Sequence, residues 1–496
     1  MENYQCTIGT GRAMGGDTAT NDMLYVRGHP RDYDLWADTG MLGWCWDSVK
    51  PYFKKMEDAF AEELDRKEHH YGGPVHIENF QHSTHLAQQL LEAAHELGYK
   101  EIDYNGKERL GFGRPQATTK YGKRNSASQI HLTPSYRRRN LVIKPLSHVV
   151  KILISTHTHE AHGVVYLHEG HLFVAKSSKE VILAAGAINS AQLLLLSGIG
   201  PKEDLLPLNI PVVSDLKVGH NLKDHIAFVG LNFVLPQQHT KEHLECEGQN
   251  EMVKYLKSGK GPLTTTGAEL IGFLKTGMLK DKLDYPDIEL LVTRNIYNQG
   301  HQHLQHLHIT EETYNAVFQP LEEKEGFTIQ VVLLHPKSKG YVKLHDEDPL
   351  HPPIINPMYL SDEDDEDLET LLAGIHLAIK LTDTESFKKL GAAFDPHQIP
   401  ECHQHIKHED AYWKCAIRHL SISLRHPSGT ARMGPDTDHT AVVDKDLRVY
   451  GVHKLRVADA SVIPVSISGS LTAAEYLIGE HGADIIKTDW LGDKMI

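Results

Sequence analysis

The sequence predicts an α/β fold in which a nucleotide-type domain is assembled from discontinuous segments and carries an inserted domain of sheet and helices. In the first half, Val181–Ser197 has the pattern of a buried strand, a glycine turn and a helix. Near the C-terminus, the strand-like Leu455–Ala458 ends in Asp459 and precedes another helical pattern. Between them, residues 231–425 mix short strands, helices and polar loops. An α/β pattern on both sides of a different middle is typical of a split domain with an insertion.

The elements before residue 181 follow from hydrophobic periodicity. Apolar residues at helical spacing, with Gly98 just beyond them, predict a helix over residues 84–97. Short runs rich in β-branched and apolar residues predict strands after it. These runs are Leu141–Ile143, Val149–Ile154, Gly163–Tyr166 and Leu172–Lys176.

The later elements come from the same patterns together with capping residues. Val181–Gly186 is predicted as a buried strand, and Asn189 and Ser190 are predicted to cap a helix over Ala191–Ser197. In the middle of the chain, strands are expected at Val331–Leu334 and Tyr341–Leu344. A last helix is expected from about Ala473 to Ile486.

Composition bounds the class of protein. The 496 residues are enough for two or more domains, and the formal net charge of −15 argues against nucleic acid or an anionic membrane as a partner. The most apolar window, Val181–Gly200, is interrupted by polar residues and glycine, so no membrane span is predicted. No signal-peptide pattern opens the sequence, and composition specifies neither the compartment nor the oligomeric state.

The cysteines and histidines predict no metal site. Five cysteines occur without a C-x-x-C pair, so we expect neither a disulfide framework nor a zinc ribbon. Two histidine-rich clusters suit a zinc or copper site chemically, but neither shows a two-part ligand frame. They are His301, His303, His306 and His308, and then Cys402, His403, His405 and His408. Enrichment of histidine in loops is the simpler interpretation of both clusters.

The opening stretch Gly9–Met14 falls one residue short of the dinucleotide fingerprint G-x-G-x-x-G. That fingerprint needs a buried strand before it and a helix after it. Only the polar residues 1–7 and Ile8 precede Gly9, so the sequence predicts a loop rather than a damaged fingerprint.

Several stretches resemble the glucose–methanol–choline (GMC) flavin oxidoreductases, especially their insect glucose-dehydrogenase-like branch. The matching stretches are Gly11–Gly28, Gly186–Gly200, Val218–His225, Gly259–Thr264, His426–Gly434 and Val457–Ser461. The resemblance runs in order along nearly the whole chain. It implies FAD as cofactor and oxidation of an alcohol or sugar CH–OH group by hydride transfer to the flavin, with a histidine base.

The resemblance also carries residue roles. His426 lies in the stretch like the family's H-P-x-G-T-x-x-M-G and is the expected base, and Ser470 stands where the family usually has His or Asn. The expected cofactor-binding residues are Gly15, Gly16, Thr18, Asn21, Asp22, Leu24, Val149, Asp459 and Ala460. Asp459, at a strand end, suits ribityl hydroxyls, although capping of the strand end is the plainer alternative.

Domain boundaries follow from the same resemblance. Residues 1–230 and 426–490 are expected to form an FAD/NAD(P)-binding-type domain, and residues 231–425 a substrate-binding domain. In the family's own division, the N-terminal part spans about 1–228 and the C-terminal part about 336–482.

Departures from the family pattern predict weak flavin binding. The family's first βαβ unit has no counterpart here, so an N-terminally truncated domain with an exposed sheet edge at Val181–Ala185 is expected. Asp17 replaces a serine and Ala474 a proline, which adds an anion and removes a rigid turn. Two interpretations remain open: an FAD-dependent alcohol or sugar oxidoreductase, or a flavin-free relative that acts as a binding or scaffold protein, or is an incomplete gene product.

Overall fold

The computed structural model describes residues 5–236, 249–281, 283–294, 296, 307–395, 397–407 and 409–492. Its helices are α1 Pro30–Asp38, α2 Trp46–Met56, α3 His85–Glu96, α4 Thr133–Ser135, α5 Gly186–Leu196, α6 Lys202–Leu205, α7 Gln249–Ser258, α8 Glu311–Thr313, α9 Glu366–Thr382, α10 Glu385–Lys389, α11 Asp410–Leu420 and α12 Thr472–Leu491. Its strands are β1 Glu57–Ala59, β2 Val75–Asn79, β3 Gly111–Gly113, β4 Gln116–Ala117, β5 Thr119–Lys120, β6 Lys123–Arg124, β7 Ser147–Ile154, β8 Ala161–His168, β9 His171–Lys176, β10 Val181–Leu183, β11 His220–Leu222, β12 Ile226–Val234, β13 Ala268–Leu274, β14 Ile288–Arg294, β15 Gly326–Leu333, β16 Gly340–Lys343, β17 Ile354–Asn356, β18 Ala393–Phe394, β19 Ser421–Ser423 and β20 Leu455–Val457.

The largest sheet among the described residues is antiparallel and has seven strands. Its order is β18-β12-β15-β14-β13-β3, and β19 pairs with β12 beside β18. Every residue of β13 and β15 is buried, because both strands run through the middle of the sheet and are covered by side chains from other elements.

Helix α9 covers this sheet with an apolar stripe. Leu368, Leu371, Leu372, Ile375, Ala378 and Leu381 recur at helical spacing and are buried. Gly374 permits the close approach, since a Cβ atom there would lie 2.6 Å from Val331 Cγ1. Acidic residues in the first turn of α9 complement the positive end of the helix dipole.

Two early elements pack with this sheet rather than with the predicted flavin-type domain. Strand β3 pairs with β13, and buried leucines of α3 share a hydrophobic cluster with β12, β14 and β15. Helix α3 and strand β3 therefore pack with the seven-stranded sheet, although both lie in the segment 1–230 that was predicted to belong to the flavin-type domain. This packing was not predicted because pairing between strands about 160 residues apart leaves no local sequence signal.

A second hydrophobic core gathers the two ends of the chain. It joins Trp36, Trp44 and Phe53 to α5, β20 and the buried face of α12. Strands β10 and β20 pair in parallel, with Val181 opposite Leu455 and Leu183 opposite Val457. Residues near 36, 190 and 460 thus meet in one layer, as a split domain requires.

The predicted exposed sheet edge is present. Among the described residues, β10 pairs with β20 alone, and Ile182 is 45% exposed. Ala184 and Ala185, which follow the strand, are also exposed. The end of β10 is therefore exposed beside the start of α5, and the surface formed by residues 184–186, the turn of residues 15–18 and the first turn of α12 is called the recess below.

Most predicted elements are confirmed, with three corrections. The buried strand expected at Val181–Gly186 is shorter and partly exposed, since β10 ends at Leu183 and Ile182 is 45% exposed. Helix α3 starts after Thr84, whose side chain accepts from Leu86 N, and strands β7, β8, β9, β15 and β16 lie where they were expected. The expected strand at Leu141–Ile143 is wrong: Val142 is 87% exposed and lacks the packing that stabilises a strand. The expected cap by Asn189 and Ser190 is also wrong, since α5 already begins at Gly186.

Candidate active site

The predicted cofactor residues Gly15, Gly16 and Thr18 form one tight turn. Gly15 and Gly16 have φ angles of 95° and 58°, which favour glycine. Thr18 Oγ1 donates to the carbonyl of Gly15 at 2.5 Å and accepts from Ala127 N at 2.9 Å. The turn is therefore fixed to the segment around residue 127.

Asp17 folds back onto the loop that precedes it. Its Oδ1 accepts a hydrogen bond from the backbone N–H of Gly11. A Cβ atom on Gly11 would lie 2.8 Å from the carbonyl oxygen of Gly16, so glycine is needed for this close approach. The acidic replacement at position 17 thus has a local structural role, and its charge remains in the recess.

The segment of Asn21 and Leu24 is joined to the start of α12. Asn21 Nδ2 donates to Thr472 Oγ1 at 3.2 Å, and Ser470 Oγ donates to the Leu24 carbonyl at 3.2 Å. A hydroxyl carries a single proton, so this contact occupies the hydrogen that Ser470 was expected to offer a substrate. In the predicted catalytic role, Ser470 can therefore only accept a hydrogen bond through its oxygen.

Asp459 is saturated by protein donors. Its Oδ2 accepts from Gly186 N at 3.0 Å and from Ser190 Oγ at 2.5 Å. Its Oδ1 accepts from both the N–H and the hydroxyl of Ser461. A carboxylate offers about four acceptor positions, so this geometry favours the strand-end alternative over a ribityl contact.

The other three predicted cofactor residues occupy separate places. Asp22 follows Asn21, and removal of water by the surrounding protein raises the pKa of its carboxyl, while Arg425 and Arg124 oppose that shift. Val149 lies in β7 opposite Tyr166, at a register shift of the ladder. Ala460 is buried, and its carbonyl accepts from Gly429 N at 3.1 Å, which ties the β20 end to the loop after His426.

Glu475 adds a third carboxyl to the recess. It lies in the first turn of α12. Removal of water by the surrounding protein and, to a smaller extent, the nearby charges of Asp17 and Asp459 together raise the pKa of Glu475 to about 7. In the described part of the chain its carboxyl has no hydrogen-bond partner, unlike those of Asp17 and Asp459.

The predicted base His426 pairs with a second histidine. His426 Nδ1 and His225 Nδ1 lie 3.0 Å apart, and His225 Nε2 lies 3.0 Å from the carbonyl oxygen of Leu334. Since a carbonyl only accepts, His225 carries its proton on Nε2 and offers a lone pair at Nδ1. His426 must then donate from Nδ1, which leaves His426 Nε2 unprotonated.

Burial keeps both rings neutral. It lowers the pKa of His225 to about 4. It also holds the pKa of His426 well below its ordinary value, with smaller contributions from His225 and Arg425. A neutral His426 with a free Nε2 has the protonation state that a general base requires.

The His426 backbone is held by Asp224. Asp224 Oδ1 accepts from His426 N at 2.7 Å, and its other oxygen accepts from the hydroxyls of Ser423 and Tyr359. Asp224 and His225 were not predicted as site residues. The signal was the Val218–His225 stretch, which ends in these two residues and matched the family pattern.

Cysteine pairing also went unpredicted. Cys402 and Cys415 form a disulfide, with Cys415 in α11, and His419 lies one turn further along that helix. The sulfurs are bonded to each other rather than to a metal. Part of the two histidine-rich clusters lies outside the described residues, namely His301, His303, His306 and His408.

No helix in the described ranges is long and apolar enough to cross a bilayer.

The residues of the recess fit a flavin dinucleotide with one conflict. Helices α5 and α12 both begin there, and the first N–H groups of a helix have no acceptor within it. Such N–H groups bind phosphate and polar ring atoms. Asp17 and Asp459 are each offset by N–H donors, so Glu475 is the carboxyl that opposes an anionic cofactor most directly.

Comparison with known proteins shows, first, that the chain is similar in fold to oxidoreductases of the mixed α/β class. More particularly, it belongs to the GMC oxidoreductase family, whose two models match residues 1–227 and 336–479. It is 35% identical to glucose dehydrogenase (FAD, quinone) of Drosophila pseudoobscura pseudoobscura over 98% of this chain and 75% of that protein. It is 34% identical to the mitochondrial choline dehydrogenase of Mus musculus over 96% of this chain and 75% of that protein.

Solved structures agree in fold. Formate oxidase superposes with a TM-score of 0.83 at 26% identity, covering 97% of this chain and 85% of the other. A fungal aryl-alcohol oxidase superposes with a TM-score of 0.82 at 23% identity, covering 98% and 87%, which shows the fold alone.

These matches confirm the predicted family and, with it, the class of FAD-dependent oxidoreductase for alcohol or sugar substrates. They do not favour the flavin-free alternative. They also give no support to the expectation that the N-terminal ADP-binding unit is missing, since the family's N-terminal model matches from residue 1.

Proposed function

We propose that this chain oxidises a CH–OH group of a small alcohol or sugar, with FAD as cofactor and His426 as the base. The observation that carries the proposal is the His225–His426 pair, whose geometry leaves His426 Nε2 unprotonated. Relatives named for glucose and choline act on small hydroxyl compounds, which supports this substrate class.

His426 would take the hydroxyl proton of the substrate at Nε2. As the proton leaves oxygen, the adjacent C–H bond becomes a better hydride donor. His225 would hold the ring in the right tautomer by accepting from His426 Nδ1, and Asp224 would hold the backbone. FAD, when bound, supplies the hydride acceptor.

The residues proposed to hold FAD are those of the recess. They are Gly15, Gly16, Thr18, Asn21, Asp22, Leu24, Val149, Asp459 and Ala460. The turn of Gly15–Thr18 and the contact of Asn21 with Thr472 support this assignment, because they place these residues beside the start of α12. The saturated carboxylate of Asp459 supports an indirect role, in which it orients Gly186 N.

We further propose that residues 1–230 and 426–490 form the flavin-binding part, apart from helix α3 and strand β3, and that residues 231–425 form the substrate part. The core shared by Trp36, α5 and α12 supports the first assignment. The seven-stranded sheet supports the second.

The test is flavin reduction in single turnover. Purified protein loaded with FAD is mixed anaerobically with a panel of sugars, choline and simple alcohols, and loss of the oxidised flavin absorbance is followed. Reduction by at least one compound, lowered about 10²- to 10⁴-fold in His426→Ala, is the expected result. Bound FAD that no alcohol or sugar reduces would overturn the proposal.

A further inference from the structure

The loop between β16 and β17 brings two histidines and a carboxylate together on the surface. This histidine loop, residues 345–351, reads His-Asp-Glu-Asp-Pro-Leu-His. Asp346 Oδ2 lies 3.0 Å from His345 Nδ1 and 2.7 Å from His351 Nδ1. One possible ligand atom from each of these three side chains lies within 4.8 Å of the other two.

Two imidazoles and a carboxylate are the donors that divalent transition metals use in proteins. Zinc bonds to nitrogen and oxygen are about 2.0–2.2 Å long, which places tetrahedral ligands about 3.3 Å apart. The two histidine–carboxylate separations, 3.0 and 2.7 Å, need to open by about 0.3 and 0.6 Å to match this value, and one nitrogen of each imidazole lies within 4.8 Å of the other. The fourth position would be filled by water from the solvent side.

Asp348 stands where it can orient one of the ligands. Its Oδ2 lies 3.8 Å from His351 Nε2, the ring nitrogen that faces away from Asp346. A histidine that binds metal through one nitrogen usually donates its other N–H to a carboxylate, which fixes the ring. When His351 Nδ1 binds an ion, its proton moves to Nε2, on the side of Asp348.

The backbone holds the loop in a shape that presents these side chains. Asp348 N donates to Asp346 Oδ1 at 2.9 Å, and the carbonyl of His351 accepts from Gln192 Nε2 at 2.8 Å. Gln192 lies in α5, so the loop is anchored to a buried helix. The His345 and His351 side chains remain 65% and 57% exposed, which leaves an entry path for an ion.

We propose that the histidine loop binds a divalent transition-metal ion, with Zn²⁺ as the probe. His345, His351 and the Asp346 carboxylate are the ligands, and Asp348 orients His351. The site is separate from the His225–His426 pair and does not depend on the proposed function. The alternative is that both histidines only donate hydrogen bonds to Asp346, in which case no ion binds.

Isothermal titration of metal-free protein with Zn²⁺ tests the proposal. One ion per chain is expected to bind, and the double variant His345→Ala, His351→Ala should weaken that affinity by about 100-fold or more. Asp348→Asn should weaken it by about tenfold, because the ligand ring loses its orienting carboxylate. Co²⁺ should give a visible absorption band in the wild type that the double variant lacks.

His376→Ala is the matched control. His376 Nε2 lies 2.9 Å from Asp410 Oδ1 in another exposed histidine–carboxylate pair, and no described residue joins this pair as a third possible ligand. Its replacement should leave zinc affinity unchanged. Absence of saturable binding, or binding of unchanged affinity in the His345/His351 double variant, would overturn the proposal. Because the loop is exposed, circular dichroism should be the same for all variants.

Discussion

The Nδ1 atoms of His225 and His426 lie 3.0 Å apart, although the two residues are separated by 201 positions in the sequence. The contact decides the tautomer of His426, since His225 Nε2 is already committed to the carbonyl of Leu334. His225 is therefore a positioning residue for the proposed base, and each ring is neutral because burial lowers its pKa.

Replacement of His225 should lower turnover without weakening flavin binding. His225→Leu removes the acceptor for His426 Nδ1, so the fraction of His426 with a free Nε2 falls. We expect kcat for flavin reduction to drop by about 10- to 100-fold, with KM nearly unchanged. The matched variant His225→Asn keeps an acceptor oxygen near the same place and should recover part of the loss. Equal losses in both variants would contradict the tautomer argument.

Removal of the charge at position 17 should strengthen FAD binding. Asp17→Asn keeps an oxygen that can accept from Gly11 N, so the loop is retained while an anion leaves the recess. We expect the Kd for FAD, measured by flavin fluorescence quenching at low salt, to fall by about tenfold. The gain should shrink at high salt because ions screen the repulsion. Unchanged or weaker binding in Asp17→Asn would count against a repulsive role.

Glu475 should make FAD binding depend on pH. Its pKa is raised to about 7 by burial and by Asp17 and Asp459, so the carboxyl is neutral below pH 7 and anionic above it. An anion disfavours a pyrophosphate nearby, and the Kd for FAD should therefore increase by up to about tenfold between pH 6 and pH 8. Glu475→Gln should bind FAD with nearly the same Kd at both values. A pH dependence that survives this substitution would assign the effect to another group.

Breaking the buried ion pair Arg27–Glu57 should lower the stability of the fold strongly. Both side chains are fully buried. Burial opposes ionisation of Glu57, but Arg27 and His69 outweigh it and lower the pKa of Glu57. Glu57→Gln leaves the Arg27 charge without its counter-ion, which should lower the free energy of unfolding by about 3–5 kcal/mol. Urea denaturation measures the change.

Glu385→Gln is the control for that measurement. Glu385 pairs with Lys388 at 3.0 Å, and both side chains are mostly exposed. Exposed pairs of this kind contribute little, because water and salt screen them. A similar loss of stability in both variants would show that burial does not distinguish the two pairs.

Local sequence patterns determined the elements that depend on nearby residues. The periodic leucines after Thr84 predicted α3, and apolar runs predicted β7, β8 and β9. Where local signals competed, the prediction failed: Ser190 is a good cap residue, but its hydroxyl donates to Asp459 and α5 begins four residues earlier. The family and the place of His426 also came from sequence, because both are carried by contiguous motifs.

Only the tertiary structure decided which distant groups meet. It placed His225 against His426 and joined Cys402 to Cys415. It also brought hydrogen-bond donors of α5 to the carboxylate of Asp459, and it brought β3 into the seven-stranded sheet through its pairing with β13. The physical reason is the same in each case. Periodicity and capping act over a few residues, whereas hydrogen bonding and pKa shifts at the site depend on which segments pack together and exclude water.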